Sequence, residues 1–302
     1  MAKQMDFNQR LWDDRQMVEL QLKVYSEPES PYLIQKNVFE AMRYSLLGGG
    51  KRLRAILALE FCRAFGREPE EALPAACALE MVHAYSLIHD DLPCMDDDDL
   101  RRGKPTSHKK FGDALALLAG DGLLTLAFEI LSREDTVELL GPARCIETIR
   151  VLSCAAGEYG MLGGQVADVL GSGRAMTKSE HSEMVAMKTG ALLRAAVHCG
   201  CIAGKAGKEQ TQAALRYAEQ IGTAFQITDD LLDVLGDPRL MGKNVGSDQR
   251  ADKNTFVTML GFHEAQRRAF SLFEKASEEI SSLFGEEHFL MQLTDWMARR
   301  SQ

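Results

Sequence analysis

Apolar residues along this chain follow helical rather than strand spacing. Residues 71–91 are mainly Ala, Leu, Met and Glu, which are good helix formers, and the apolar positions lie nearly all round the helix. A helix that is apolar on most faces is expected to be buried in the core. Residues 113–131, 178–203 and 209–235 also have helical patterns, and no segment shows convincing period-two alternation between hairpin turns.

Breaks in the pattern are few, which bears on domain organisation. The 302 residues include only eight prolines, with none between Pro142 and Pro238, so long uninterrupted helices are permitted. We find no Pro/Ser linker, low-complexity tract or repeat. Hydrophobic residues make up 45% of the chain, enough for a sizeable core. We therefore expect an all-α protein in which residues 1–302 form a single domain.

Charge and cysteine content narrow the classes of partner and compartment. A net charge of -9 argues against a nucleic-acid partner. Seven cysteines without a CxxC pair indicate reduced thiols and neither a zinc site nor a disulfide framework. The N-terminal residues lack the apolar stretch of a signal peptide, and apolar runs such as residues 114–119 break at a charge short of a bilayer span. We expect a cytoplasmic protein without membrane insertion.

A first aspartate cluster follows the apolar helix of residues 71–91. Asp90, Asp91 and Asp96 to Asp99 place six carboxylates within ten residues. An acidic loop is ordinarily only a solvated cap, but Asp90 and Asp91 emerge from an apolar helix, where unpaired carboxylates are costly. The spacing lacks the glycine and alternation of an EF-hand, and hard oxygen ligands at a helix end suit magnesium.

A second aspartate cluster belongs to the long helix of residues 209–235. Asp229 and Asp233 are i,i+4 neighbours and share a face, with Asp230 about 100° round the helix. Gln226 lies one turn earlier, and apolar residues surround the group. Two such clusters on separate core helices suggest the two sides of a metal clamp rather than two acidic surfaces.

Cationic residues near glycines predict diphosphate binding beside these clusters. Residues 48–54 read Gly-Gly-Gly-Lys-Arg-Leu-Arg before a predicted helix, where bare backbone and cations favour an anion. Arg101 and Arg102 follow the first cluster, and guanidinium groups bind phosphate bidentately. Taken singly, each has a plain structural interpretation, as a helix connector or a solvated cation. His83, two turns before Asp90, taken alone would more often be a core residue.

In combination, these segments resemble the isoprenyl (polyprenyl) diphosphate synthase family, specifically its bacterial-type farnesyl diphosphate synthases. The resemblance spans residues 48–255, most of the chain. The matching segments are residues 49–54, 83–93, 96–103, 163–168, 188–190, 225–233, 242–248 and 253–255. One departure is Ala55, where the family usually has proline after the first basic motif; we expect only a small change in helix entry.

The resemblance implies a fold, a cofactor and an assembly. The fold is a bundle of long, mostly antiparallel helices around a central active-site cavity, and the protein is a homodimer. The cofactor is Mg²⁺, three ions, with Mn²⁺ as a possible substitute. The implied ligands are Asp90 and Asp96 for two ions, supported by Asp91, and Asp229 for a third, helped by Asp230 and Asp233.

It also implies two diphosphate sites. The allylic diphosphate is contacted by Arg101, Lys188, Lys243 and Lys253, with Thr189 and Gln226 facing the reacting carbon; isopentenyl diphosphate is contacted by Gly50, Lys51, Arg54, His83 and Arg102. The reaction is ionisation of the allylic C–O bond, attack by the isopentenyl double bond and loss of a proton. Product length in this family is set by the residue five before the first cluster, here Tyr85, with Ser86 beside it. A bulky aromatic there implies the C15 product.

Several other functions remain open from the sequence. A C20 geranylgeranyl diphosphate synthase is the nearest alternative and differs in product length. A class I terpene cyclase also uses an aspartate-rich motif but does not need a second diphosphate site. A non-catalytic synthase subunit is expected to have degraded clusters, whereas both are intact here, and a calcium-buffering protein fits least well.

Overall fold

The computed structural model describes residues 6–28, 35–171, 173–236 and 254–299. These residues are almost entirely helical, which confirms the all-α prediction. The only strands in this part of the chain are β1 (Leu100–Arg101) and β2 (Lys104–Pro105), which form a small antiparallel hairpin. The chain groups into two compact units, Met1–Arg150 with Ile202–Lys205, and Val151–Cys201 with Ala206–Gln302. The single-domain expectation is not tested by this grouping and stays a prediction.

The first unit consists of helices around the predicted apolar helix. Its helices are α1 (Phe7–Tyr25), α2 (Lys36–Leu46), α3 (Leu53–Ala64), α4 (Leu73–Asp90), α5 (Ser107–Phe111), α6 (Asp113–Ser132) and α7 (Glu134–Leu140), followed by α8 (Pro142–Ala156), which continues past Arg150. A 3₁₀ turn, Pro69–Glu71, precedes α4.

Helix α4 is the core of the first unit, as its composition predicts. Residues on all of its faces are buried, and α6 packs closely against it. Gly120 makes this approach possible, because a Cβ atom there would lie 2.1 Å from Nε2 of His89 on α4. The close packing holds the end of α4, and with it the first aspartate cluster, in a defined position.

Helix α6 is long and apolar enough, by length and composition, to cross a membrane. Its most apolar 18-residue window has a mean hydropathy of 1.8 and includes Asp121, although the apolar run of residues 114–119 breaks at that charge. The buried core helix of a soluble protein passes the same test. In the first unit α6 packs against α4 and α2, and 44% of that window is buried.

The second unit is also helical and contains one irregular turn. Its helices are α9 (Met161–Gly171), α10 (Lys178–Val185), α11 (Ala191–Ala203), α12 (Lys208–Leu235), α13 (Phe256–Leu260), α14 (Phe262–Phe284) and α15 (Phe289–Ala298). The predicted helix of residues 178–203 is interrupted by a π-helical turn, Ala186–Gly190, between α10 and α11. Such turns occur frequently at functional sites.

Candidate active site

A small cavity of about 50 Å³ lies within the first unit. Its lining comes from three regions that are separate in sequence: the end of α2 and the following loop, α4 from Glu80 onward with Asp91, and the β-hairpin with the residues just after it. The polar residues around it are Tyr44, Ser45, Arg52, Glu80, His83, Asp91, Arg101, Arg102, Lys104, Thr106 and Ser107. His83, Arg101 and Arg102 thus border one cavity together with Asp91 of the first aspartate cluster, and their roles stay predictions.

The acidic loop turns back on itself as it leaves α4. The backbone N–H of Asp96 donates to the backbone carbonyl of Asp90 over 2.9 Å, which brings these two residues together. Asp90 is half-buried, whereas Asp96 is exposed. Asp91 is almost fully buried and binds Arg101. The first two aspartates of the cluster thus have different surroundings.

Arg101 is held by Asp91 through a forked contact. Its Nε donates to Oδ1 of Asp91 over 2.8 Å, and its Nη2 donates to the same oxygen over 2.5 Å. Burial lowers the pKa of the Arg101 guanidinium, but Asp91 outweighs it and the pKa lies above its usual value. The contact fixes a permanent cation beside the acidic loop.

Arg102 lies in the tight turn of the hairpin and reaches the glycine loop. Arg102 and Gly103 both have positive φ, at 55° and 73°, as a type I′ turn requires. The Arg102 guanidinium donates to the carbonyl of Gly49. Gly50 has a φ of 135°, and a Cβ atom there would lie 3.0 Å from the guanidinium nitrogens. Only glycine therefore lets this backbone approach Arg102 without strain.

His83 is neutral in this setting. Burial, and then the charges of Arg54 and Arg102, hold the pKa of its imidazole well below the ordinary value. A neutral imidazole can still donate one N–H to an anion. His83 therefore adds a hydrogen-bond donor to a cavity whose positive charge comes from arginines.

Tyr85 and Ser86 lie one turn or more before the acidic loop. Tyr85 is 8% exposed, and its ring meets that of His89 edge-on at 5.6 Å. Ser86 donates its hydroxyl to the carbonyl of His83 over 3.0 Å, within its own helix. Tyr85 is thus a buried aromatic next to the cluster, as the chain-length prediction requires, whereas Ser86 is engaged by the helix.

In the second unit, a hydrogen-bonded series joins the π-helical turn to α12. Thr189 Oγ1 donates to Oε1 of Gln226 over 3.0 Å, and Nε2 of Gln226 donates to Oδ1 of Asp230 over 2.9 Å. The other oxygen of Asp230 accepts the backbone N–H of Phe256 over 2.8 Å. Because Asp230 accepts the amide N–H of Gln226, the Gln226 oxygen is directed to Thr189.

The three aspartates of α12 differ in burial. Asp230 and Asp233 are almost fully buried, and Asp229 is half-buried. Asp230 orients Gln226 and binds the first residue of α13, so it has a structural task whatever its role toward a metal ion. The predicted contacts Lys243 and Lys253 lie outside the described residues.

Lys188 has a partner that the sequence did not identify as one. Its Nζ binds Oδ2 of Asp168 over 2.5 Å. Gly164 permits this, because a Cβ atom there would lie 2.2 Å from the backbone nitrogen of Lys188. The Gly-Gly-Gln-x-x-Asp segment of residues 163–168 thus brings α9 against the π-helical turn and supplies the carboxylate.

The residues of the first cluster fit magnesium by donor type. Asp90 and Asp96 offer carboxylate oxygens, and a backbone hydrogen bond holds the two residues close together. Arg101, bound to Asp91, is a neighbouring cation that could contact phosphate. Within the described ranges, no three His, Cys, Asp or Glu side chains group as a metal site. Magnesium does not need such a group, since it usually takes one or two carboxylates together with substrate phosphates and water.

Sequence reasoning counted Arg52 only as one cation of the glycine loop and did not single out Glu80. Arg52 is only 4% exposed and has a φ of 53°, and its guanidinium pairs with Glu80 of α4. The available signals were weak: a charged residue between two predicted ligands, and a glutamate three residues before His83. Neither indicates burial without a tertiary structure.

Comparisons with known proteins identify relatives of this chain. The sequence profile described as Polyprenyl synthetase matches residues 35–284. The chain is 45% identical over 278 residues to the farnesyl diphosphate synthase of Geobacillus stearothermophilus, covering 92% of both chains. It is 42% identical over 265 residues to the chloroplastic geranylgeranyl pyrophosphate synthase of Catharanthus roseus, covering 87% of this chain and 74% of that one.

A solved structure gives the same result. The apo structure of an FPP/GFPP synthase from Zymomonas mobilis matches with a TM-score of 0.86 at 38% identity, covering 96% of this chain and 98% of that chain. The family profile spans well over half of the sequence. The chain therefore belongs to the polyprenyl synthetase family.

Proposed function

We propose that this protein is a farnesyl diphosphate synthase, a magnesium-dependent prenyltransferase. It condenses isopentenyl diphosphate head-to-tail with dimethylallyl diphosphate and then with geranyl diphosphate. The observation that carries the proposal is the cavity of the first unit, which His83 and Arg102 line together with Asp91 and Arg101. On this proposal, His83 and Arg102 help to bind one diphosphate beside the acidic loop that serves the second.

The chemistry accounts for the residue types. Ionising an allylic C–O bond leaves a carbocation and a highly charged diphosphate. Mg²⁺, held by Asp90 and Asp96 with support from Asp91, and by Asp229 with Asp230 and Asp233, supplies Lewis-acid stabilisation of the departing charge. Arg101 and Lys188 bind the same diphosphate as fixed cations, positioned by Asp91 and Asp168. Lys243 and Lys253 are further proposed contacts.

The second substrate is bound without carboxylate ligands. Gly50, Lys51, Arg54, His83 and Arg102 bind isopentenyl diphosphate, whose double bond attacks the cation. Thr189 and Gln226 present oxygen dipoles to the developing positive charge, in the orientation that Asp230 imposes. A proton then leaves, with the released diphosphate as its acceptor.

The C15 product is favoured over C20 by two observations. The identity to the Geobacillus stearothermophilus enzyme is higher and covers more of both chains than the identity to the Catharanthus roseus enzyme. Tyr85 is a buried aromatic five residues before Asp90, where it limits the space for a growing chain. A C20 synthase remains the second candidate, because the two identities are close.

Product analysis tests the proposal directly. The protein is incubated with Mg²⁺, isopentenyl diphosphate and either dimethylallyl or geranyl diphosphate, and the products are separated by chain length. We expect farnesyl diphosphate from both starters. Geranylgeranyl diphosphate as the main product would favour the second candidate, and an absence of isopentenyl consumption would favour a terpene cyclase.

The acidic loop provides the first substitution. Asp90→Ala should lower turnover by about 10² or more, since it removes a preorganised electrostatic contribution. Asp99→Ala is the matched control, because Asp99 lies in the same loop but pairs with Lys109 over 2.8 Å at the surface. Near-normal turnover of Asp90→Ala would contradict the assignment.

Chelation of the metal should abolish activity. Titration with Mg²⁺ tests the expected number of three bound ions, and titration with Mn²⁺ then tests whether Mn²⁺ substitutes for Mg²⁺.

We also propose that the protein is a cytoplasmic homodimer whose chain forms one functional domain. Exposed apolar residues on α9 support the dimer, since Leu162, Val166, Val169 and Leu170 are spaced to share one helix face. Burial of this face by a second copy would remove an apolar patch from water.

A further inference from the structure

Arg52 combines two unfavourable features at one position. It is a charged residue whose side chain is only 3% exposed, and its backbone has a φ of 53°, in the left-handed region. Burial of an unpaired charge and a left-handed non-glycine backbone both cost free energy. Arg52 lies between Lys51 and Arg54, two proposed contacts of isopentenyl diphosphate. The hydrogen bonds of the Arg52 guanidinium explain why its burial and its left-handed backbone are tolerated.

The guanidinium of Arg52 is fully engaged by the protein. Nε donates to Oε1 of Glu19 over 2.8 Å, and Nη1 donates to Oε2 of Glu80 over 3.1 Å. Nη2 donates to the carbonyl of Leu46, at the end of α2, over 2.6 Å. All three nitrogens therefore have protein acceptors. Although Arg52 borders the cavity, its role is to connect α1, α2 and α4 rather than to bind an anion.

Glu80 connects this anchor to His83. The two residues are three apart on α4 and so lie on one face of the helix. The second oxygen of Glu80 accepts the backbone N–H of Ala55 at 3.4 Å, in the first turn of α3. A proline at position 55 could not donate this bond, since it has no N–H. Glu80 thus links the loop before α3, the start of α3 and the helix that carries His83.

The same pairing affects the charge of the cavity. Glu19 and Glu80 offset the charge of Arg52, and Arg54 and Arg102 are the two cations that lower the pKa of His83 most. Without Glu80, a buried cation would be left with one partner fewer and the left-handed backbone with less support. The loop would then lose its register against α4.

We propose that Arg52 and Glu80 are positioning residues for isopentenyl diphosphate, fixing the Lys51–Arg54 loop in register with His83. The proposal rests on the assignment of these residues to the isopentenyl site under the proposed function. It goes beyond that assignment because neither residue touches the substrate. The allylic diphosphate, which Arg101 and Lys188 bind, is unaffected.

The test is the response of the two substrates to Glu80→Gln, which keeps the shape of the side chain and removes its charge. The KM for isopentenyl diphosphate should rise by about tenfold or more, from the loss of a buried charged hydrogen bond. The KM for geranyl diphosphate should stay within about twofold, since its contacts are unchanged. Equal changes in both KM values would identify a general structural defect and overturn the proposal.

Glu71→Gln is the matched control. Glu71 is also nearly buried in the first unit, where it pairs with Arg67 and Arg144, away from the glycine loop. It should lower thermal stability as Glu80→Gln does and change neither KM.

The variant with both Arg52→Gln and Glu80→Gln tests the pairing itself. Its effect on the isopentenyl KM should be clearly less than the product of the two single effects, because both changes remove one shared pair. Independent, multiplicative effects would contradict the pairing.

Direct binding separates this proposal from the proposed function. Isopentenyl diphosphate is titrated calorimetrically into each folded variant in the presence of a metal chelator. Weaker binding to Glu80→Gln than to Glu71→Gln supports the proposal even if no product is formed, an outcome that would overturn only the proposed function. Equal binding to both variants overturns the positioning role even if the enzyme makes farnesyl diphosphate. Absence of binding to the unchanged protein overturns both.

Discussion

Single residues in unfavourable backbone conformations lie at the proposed substrate loops. Arg52, Asp97 and Arg102 have φ values of 53°, 50° and 55°, and each lies in the glycine loop, the acidic loop or the hairpin turn. A left-handed conformation costs a non-glycine residue about 1–2 kcal/mol. It persists where tertiary contacts compensate, as the Glu80 and Gly49 contacts do for the two arginines. Local strain at these positions is consistent with loops shaped for binding.

Tyr85 provides the test of product length at the residue scale. Tyr85→Ala should shift part of the product beyond C15, because removal of the ring opens space five residues below Asp90. The measurement is chromatography of the products made from isopentenyl and geranyl diphosphate. Tyr25→Ala is the matched control, since Tyr25 is equally buried, at 8% exposure, and lies on α1. It should cost about 3 kcal/mol of stability without lengthening the product. A product that stays at C15 in Tyr85→Ala would refute the role.

At the scale of elements, irregular backbone and close helix packing position the proposed catalytic side chains of the second unit. The π-helical turn Ala186–Gly190 carries Lys188 and Thr189, and α9 approaches it through Gly164. Regular helix would place these side chains at a different angle. The Thr189, Gln226 and Asp230 series then ties the turn to α12.

Gly164→Ala tests this packing. Its Cβ would overlap the Lys188 backbone, so we expect a loss of about 1–3 kcal/mol of stability from overpacking. Turnover should fall by up to about 100-fold, because a small displacement of a substrate-binding group is costly in rate. Unfolding in urea and steady-state kinetics measure the two effects. Gly207→Ala, where a Cβ would meet only the flexible Gln210 side chain at 3.3 Å, should change both much less. Similar behaviour of the two variants would argue against the packing role.

At the scale of the whole molecule, the exposed apolar face of α9 bears on assembly. Leu162, Val166 and Val169 are about half exposed, at 51%, 51% and 52%, and Leu170 is 70% exposed. A face of this kind on a soluble monomer is uncommon and marks an interaction surface. The family resemblance implies a homodimer, in which a second copy of this chain would cover the face.

Light scattering with Val166→Glu tests the dimer. The unchanged protein should have a mass of twice 33.5 kDa, and the variant should be mainly monomeric, because burial of an unpaired carboxylate in the interface is unfavourable. Leu20→Glu is the control: Leu20 is 62% exposed on α1, and its substitution should leave the dimer intact. A monomeric unchanged protein at micromolar concentration would reject the homodimer.

Much of the fold was predictable because helix formation depends on local spacing and composition. The apolar helix of residues 71–91 corresponds to α4 (Leu73–Asp90), and residues 209–235 correspond to α12 (Lys208–Leu235). The segment 178–203 was only partly predicted, since nothing in its composition indicates the π-helical turn at Ala186–Gly190. Such a turn depends on packing against other helices rather than on propensity.

The sequence by itself determined which kinds of residue take part: two aspartate clusters, several cations and an aromatic before the first cluster. Their partners were decided by the tertiary structure. Lys188 pairs with Asp168, 20 residues away, and Arg52 pairs with Glu80, 28 residues away. Local pattern cannot identify such pairs, because burial and distance arise only when separate helices pack. For the same reason, the different burial of Asp229 and Asp230, neighbours in one motif, became evident only in the folded chain.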